Sequence, residues 1–265
     1  GHTTVEGGGS SQFLSGLMMS APYAEGPVTL EVVGGKARQA YVGITREVMI
    51  SFGVEVERDG MVYRVEPGVY RAREFRVEPD ASGASYFFAA AALAGGRVRV
   101  LGLGSNSTQG DMRFLEVLRE MGCEVEVDEE YAEVRGPEKL RGVEVDMNDF
   151  SDTFITLAAI APFAEGPTTI KNVEHTRRQE TDRISAVASE LSRLGVEVGE
   201  KRDGLRISPG EVRPARVETH DDHRIAMAFA LVGLKVPGIK IKNPACVTKT
   251  MPDYFERLEL LRRGE

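Results

Sequence analysis

The sequence predicts an α/β (α+β) fold made of repeated βαβαββ units with buried helices, four repeats in all and the last incomplete. Three observations lead there. Helix-favouring runs open at Ser11, Ala84, Ser151 and Asp222, spaced 67 to 73 residues apart. Each starts small or polar, runs apolar for about three turns and closes on glycine and proline ahead of a short β-branched stretch. Ala21-Pro22-Tyr23-Ala24-Glu25-Gly26-Pro27 and Ala161-Pro162-Phe163-Ala164-Glu165-Gly166-Pro167 differ at one position in seven. Finally, Phe52-Gly53-Val54-Glu55-Val56, Met121-Gly122-Cys123-Glu124-Val125 and Leu194-Gly195-Val196-Glu197-Val198 each follow an amphipathic stretch. The glycine there reads as a helix C-cap, and the alternating residues after it as a strand.

In chain order each repeat is strand, helix, strand, helix, strand, strand. Residues 61–65, 131–134 and 205–207 are the hairpin partners. Alanine-rich runs such as residues 86–94 suit helices packed inside sheets. The fourth copy has a helix over 223–236, a strand over 239–242 and a helix over 251–263, but no closing strands. Open edges of that kind invite pairing with other strands. Together with a first residue that is glycine, this leads to the expectation that the chain is the C-terminal part of something longer.

Composition narrows the function class. The 265 residues are 42% hydrophobic and 28% charged, with a net charge of −8. That balance argues against a nucleic-acid surface, so an anionic ligand would need locally clustered arginine and lysine. No apolar run approaches the roughly 18 residues that span a bilayer, and no secretory signal opens the chain. Two cysteines, Cys123 and Cys246, are too few for a disulfide framework and point to a reducing cytoplasm.

Charge concentrates in His175-Thr176-Arg177-Arg178-Gln179-Glu180-Thr181-Asp182-Arg183, just ahead of the helix-spaced stripe Ile184, Val187, Leu191, Leu194. On a helical wheel Glu180 falls about 40° from Ile184 and about 60° from Arg183, which places both on the inward side with Asp182 pointing elsewhere. A carboxylate and a guanidinium aimed inward at a helix N-terminus suit an anion-handling site. The spacing Thr176-x-x-Gln179 also fits a capping box.

Five ordered motifs then carry a resemblance. Ser10-Ser11-Gln12-Phe13-Leu14, Asp146-Met147-Asn148 with Asp152, Gln179-Glu180-Thr181-Asp182-Arg183, Asp222-His223-Arg224-Ile225-Ala226-Met227 and Thr248-Lys249-Thr250-Met251-Pro252-Asp253-Tyr254-Phe255 resemble the enolpyruvyl transferases. Within that group they are similar to the 5-enolpyruvylshikimate-3-phosphate synthases. The resemblance spans essentially the whole chain. It implies an enolpyruvyl-transferase-like inverse α/β fold of six units, three per lobe. Residues 1–72 would be the last repeat of the N-terminal lobe, and 73–265 the C-terminal lobe without its closing strands. It also implies transfer of the enolpyruvyl group from phosphoenolpyruvate to the 5-hydroxyl of shikimate 3-phosphate, in aromatic amino-acid biosynthesis, with no cofactor and no metal.

The roles implied by the resemblance meet the chemistry, which needs a base, an acid and cations for two phosphates and two carboxylates. Asp152 is expected to deprotonate the hydroxyl, with helix capping as its structural alternative. Glu180 is expected to protonate the methylene, helped by a pKa raised through burial. Arg183 and Arg224 are expected to clamp phosphoenolpyruvate, with His223 and Lys249 assisting proton transfer and neutralising the leaving phosphate. Ser10, Ser11, Gln12, Tyr41 and His175 fall where the family binds the phosphorylated acceptor. Gln179 stands where a lysine or histidine is usual. Arg38 stands in place of a phosphate-binding serine, Gln39-Ala40 in place of a basic–proline pair, and Gly43 in place of an acidic residue. The family's lysine-serine-arginine motif, its glycine-rich phosphoenolpyruvate loop and a further arginine precede the region covered here. The chain alone is therefore expected to be inactive, with the remaining N-terminal portion as its partner. The alternatives are a UDP-N-acetylglucosamine enolpyruvyl transferase, or a non-catalytic fragment that binds only the phosphorylated acceptor or assembles through its open strand edges.

Overall fold

The computed structural model describes residues 1–7, 11–34 and 39–264, so the expected substrate residues Ser10 and Arg38 lie outside the described residues. The chain divides into two compact units, Gly1–Val77 with Thr108–Gly110, and Glu78–Ser107 with Asp111–Glu265.

The first unit contains β1 (His2–Glu6), α1 (Ser11–Ser20), β2 (Val28–Val33), α2 (Gln39–Ser51), β3 (Val56–Asp59) and β4 (Val62–Val65). Its sheet runs β1-β2-β4-β3. The first pair is parallel, with Val5 opposite Val32, and the other two are antiparallel, with Tyr63 opposite both Leu30 and Arg58. Parallel neighbours need a crossover, which α1 supplies, whereas β3 and β4 close as a hairpin. Leu14 and Met18 of α1 pack with Leu30, Tyr63 and Val65 in a small core.

The second unit opens with α3 (Ala81–Ala94), β5 (Arg97–Leu101), α4 (Phe114–Glu120), β6 (Glu124–Val127) and β7 (Tyr131–Arg135). Asp80 caps α3 by accepting from Ser82 N, and Gly95 ends it in the left-handed region at φ +73°. The next repeat is β8 (Glu144–Asp146), α5 (Phe154–Ile160), β9 (Thr168–Lys171), α6 (Arg183–Arg193), β10 (Val198–Lys201) and β11 (Gly204–Ile207). Its sheet order, β8-β9-β11-β10, reproduces that of the first repeat. Last come β12 (Arg216–Val217), α7 (His223–Val232), β13 (Lys240–Ile241) and α8 (Tyr254–Arg263), with β12 and β13 a two-stranded parallel pair. Helices α3, α5 and α7 pack on one another and form the centre of one continuous core.

The repeats share a closing device. In each of the first three, the glycine that ends the second helix has a positive φ, and the side chain of an arginine further on packs over it, within contact distance of where a Cβ would be: Arg71 on Gly53, Arg141 on Gly122 and Arg213 on Gly195. The same arginines donate their main-chain N–H to Phe52, Met121 and Leu194.

Two expectations need correction. The second repeat has no leading strand, because residues 66–80 find no sheet partner and Val77 stays exposed; its sheet is three-stranded, β5-β7-β6. The third repeat's first helix is shorter than three turns. A 3₁₀ segment, Asn148–Thr153, kinked at Phe150, precedes the seven residues of α5.

Candidate active site

In the second unit, the approaches to α5, α6, α7 and α8 bring six of the expected residues into contact. Arg183 is the hub. It is the first residue of α6 and only 1% exposed. Its Nε donates to Asp222 Oδ2 at 2.7 Å and its Nη1 to Gln179 Oε1 at 2.6 Å, while Nη2 meets Glu180 Oε2 at 2.7 Å. Asp152 Oδ1 lies 3.4 Å from Nη1. Asp152 Oδ2 accepts from Arg224 Nη2 at 2.9 Å, and Glu180 Oε1 from Lys249 Nζ at 2.6 Å. Three cations, Arg183, Arg224 and Lys249, thus face three carboxylates, Asp152, Glu180 and Asp222. A guanidinium buried this deeply is tolerable only with its donors satisfied, and here the protein's own acceptors do so.

Local folding explains the placement, and it corrects the helical-wheel expectation. Helix α6 starts at Arg183, not before Glu180. Its N-cap is Asp182, whose side chain accepts from Ser185 N. Gln179 is non-helical, with φ −95° and ψ −139°, so Glu180 meets Arg183 from a loop, not across a helix face. The expected capping box does not form, because Thr176 is buried with its hydroxyl donating to Val173 O. Asp152 is not an N-cap either. It sits in the 3₁₀ segment before α5, and its carboxylate is committed to the two arginines.

Charge states follow from these contacts. Burial pushes the Glu180 carboxyl upward, but the Lys249 hydrogen bond and the Arg183 charge outweigh it and leave it at about 2. The expected raised pKa is therefore reversed. His223 is buried, and desolvation together with Arg224 lowers its pKa; its Nδ1 has no hydrogen-bond partner among the described residues. Arg224 is held more firmly charged: burial opposes this, but Asp152 and Tyr86 prevail. His175 Nε2 lies 2.8 Å from Ser151 Oγ, the neighbour of Asp152 in sequence.

In the first unit, Ser11 and Gln12 open α1 and Tyr41 lies in the first turn of α2, half-buried. Ser15 Oγ and Thr45 Oγ1 join the two helices at 2.8 Å.

Four participants were not singled out from sequence. Asp222 is fully buried, grips Arg183 and caps α7 through Arg224 N; its position just ahead of a helical run is an N-cap signal that could have identified it. Arg177 donates to both Asp182 oxygens, to Glu200 and to the carbonyls of Lys201 and Arg202, which ties the Glu180 loop to the β10–β11 turn. Asp111, buried and accepting from Ser82 Oγ, is pushed up to about 7 by desolvation and then by Asp152. Tyr86, fully buried, is pushed up to about 12, mainly by desolvation. Neither Asp111 nor Tyr86 sits in a pattern that separates it from an ordinary loop or core residue. Among the described residues no group of three or more His, Cys, Asp or Glu could hold a metal ion, and no helix is long and apolar enough to cross a membrane.

Comparison with known proteins gives the family. The profile of the EPSP synthase (3-phosphoshikimate 1-carboxyvinyltransferase) family matches residues 1–258. The chain is 53% identical over 259 residues to the 3-phosphoshikimate 1-carboxyvinyltransferase of Trichormus variabilis, covering 97% of this chain and 61% of that protein. It is 45% identical to that of Methanoculleus marisnigri, covering 97% and 62%. A solved EPSP synthase from Acinetobacter baumannii aligns with a TM-score of 0.83 at 25% identity, over 97% of this chain and 62% of that one. The enolpyruvyl transferase NikO of Streptomyces tendae shares the fold, with a TM-score of 0.75 at 23% identity, over 97% and 63%. The chain spans about three fifths of the length of the curated relatives it matches. It belongs to the EPSP synthase family.

Proposed function

We propose that the chain is part of a cytoplasmic 3-phosphoshikimate 1-carboxyvinyltransferase, in which residues 1–72 are the last repeat of one lobe and 73–265 most of the other. The two free cysteines suit that compartment. The observation that carries the reading is the balanced cluster of Arg183, Arg224 and Lys249 against Asp152, Glu180 and Asp222. Those cations match the phosphate and carboxylate of phosphoenolpyruvate, and those carboxylates match the proton transfers.

The mechanism follows from exchange. A dianionic ligand that takes Lys249 and Arg183 removes from Glu180 the two charges that hold its pKa down. Burial and the ligand's own negative charge then act against a backbone hydrogen bond alone and raise it, so Glu180 takes up a proton and becomes a donor to the methylene only once the ligand is seated. Arg224, drawn to the same anion, loosens its grip on Asp152, which is then available to take the proton of the 5-hydroxyl. The freed oxygen bonds to the carbon that carries the phosphate as Glu180 protonates the methylene; the adduct then collapses, its bond to the phosphate oxygen breaking and a proton of the new methyl group returning to Glu180, which restores the enol double bond. Lys249 neutralises the departing phosphate, and His223, its pKa lowered by burial, can pass a proton. Ser10, Ser11, Gln12, Arg38, Tyr41, His175 and Gln179 serve the shikimate 3-phosphate side. No cofactor is required by these steps.

The test is phosphate release from phosphoenolpyruvate and shikimate 3-phosphate, with the chain alone and with the remaining N-terminal two fifths supplied from the Trichormus variabilis relative. The expected result is negligible release alone and release with the complement. No release with the complement, or release with UDP-N-acetylglucosamine in place of shikimate 3-phosphate, would overturn the reading.

A further inference from the structure

Helix α6 carries a second buried charge, two turns beyond Arg183. Glu190 is 0% exposed. Seven residues along a helix bring it back to within about 20° of Arg183 and about 10.5 Å further along the axis. Both residues hold the same piece of chain. Glu190 Oε2 accepts from Glu218 N at 3.0 Å and Oε1 lies 3.2 Å from His220 Nε2, while Arg183 takes the Asp222 carboxylate. A third donor, Arg193 Nε, reaches Glu190 Oε2 at 3.0 Å from the solvent side.

Between the two anchors the backbone is strained. His220 and Asp221 are successive non-glycine residues in the left-handed region, at φ +52° and +55°. Each costs of order 1 kcal/mol, and such pairs persist only where surrounding contacts over-determine them. Asp221 Oδ1 is itself held by Asn243 Nδ2 at 2.6 Å, and Glu218 by Lys242 Nζ. Immediately after the strained pair come Asp222, His223 and Arg224.

We propose that Glu190 is a positioning residue: through Glu218 N–H and His220 it holds the 218–222 segment in its left-handed turn, and so sets where Asp222 and Arg224 meet Arg183 and Asp152. Glu190 touches none of the reacting groups. Its effect on ligand affinity rests on the functional reading above, whereas its effect on the segment does not.

Two readouts separate the cases. Amide exchange at Asp222 and Arg224 is followed in the ligand-free chain, and phosphoenolpyruvate affinity is measured by calorimetry with shikimate 3-phosphate and the N-terminal complement present, at a temperature where every variant is folded by circular dichroism. Glu190→Gln is expected to speed exchange at both amides and to weaken phosphoenolpyruvate about tenfold or more. Arg193→Ala, which removes only the solvent-side donor, is expected to change neither. His220→Ala, at an exposed position, reads the same amides if Glu190→Gln does not fold. If the unsubstituted chain with the N-terminal complement gives no phosphoenolpyruvate signal, that counts against the functional reading, and exchange alone decides the tether. Unchanged exchange at Asp222 and Arg224 in Glu190→Gln and His220→Ala, or equal acceleration in Arg193→Ala, would overturn the proposal.

Discussion

The first and third repeats have the same strand order and the same helix-closing glycine, yet they bury their helices differently. Aligned on Ala21-Pro22 and Ala161-Pro162, Leu17 of α1 and Leu157 of α5 hold the same place. Leu17 is 45% exposed and Leu157 is 0% exposed. All seven residues of α5 are buried, whereas α1 buries Leu14 and Met18. Aligned on Gly53 and Gly195, Val48 of α2 is exposed where α6 has the fully buried Glu190. The repeat therefore sets backbone path and pairing, while neighbours set burial: α5 lies between α3 and α7, whereas α1 packs against α2. Once every face of a helix is covered, its approaches can hold charges that water would otherwise compete for, and the third repeat uses that condition to seat Arg183, Asp152 and Glu180.

The widest separation between the repeats is expected from Leu157→Ser and Leu17→Ser. The first combines a lost core side chain with an unpartnered hydroxyl and should cost about 4 kcal/mol in urea unfolding. The second should stay within about 0.5 kcal/mol; equal losses would break the comparison. Next comes Asp222→Asn, which leaves the buried Arg183 undercompensated and should cost about 3 kcal/mol by the same measurement. A loss no larger than that of an ordinary surface substitution would mean that the charge network carries no stability. Gly53→Ala and Gly195→Ala, at φ +86° and +82°, should each cost about 1 kcal/mol. A matched pair of values would sharpen the claim that the cap belongs to the repeat and not to its surroundings. The smallest effect concerns acid. Glu180 titrates at about 2 when folded, against an ordinary 4.5, so its contribution is complete above pH 4.5 and is lost as pH falls from there toward 2. Glu180→Gln should flatten that limb of the stability profile by about 1 kcal/mol, allowing for solvent screening of a partly exposed group. An unchanged profile would show that the Lys249 contact does not persist in solution.

Much of this was legible in the sequence because the repeat reports on itself. Gly53, Gly122 and Gly195 marked three helix ends, and hairpin strands followed each of them. The charged residues around Arg183 were legible as a group but not as geometry. A helical wheel assumes a helix, and the chain from Gln179 to Asp182 is not one; Glu180 reached Arg183 by a path that periodicity cannot describe. Its charge state was misjudged for a related reason: burial is visible in a pattern, but Lys249, 69 residues away, is not. Asp111 and Glu190 were invisible because a buried carboxylate has the same letter as a solvated one. Only its donors, brought in from other elements, distinguish it.

The arginines that lie on the three helix-ending glycines have a consequence for how the chain folds. Each returns its main-chain N–H to the residue just before that glycine, across 19 or 20 positions: 52 to 71, 121 to 141, 194 to 213. Closing a loop of that size is entropically cheap, and its cost does not depend on whether any other repeat has formed. The second helix, the hairpin and the connection of each repeat thus make a local cooperative unit of low sequence separation. The chain can order itself segment by segment, leaving the long-range packing of α3, α5 and α7, and the charges seated around it, to be completed last.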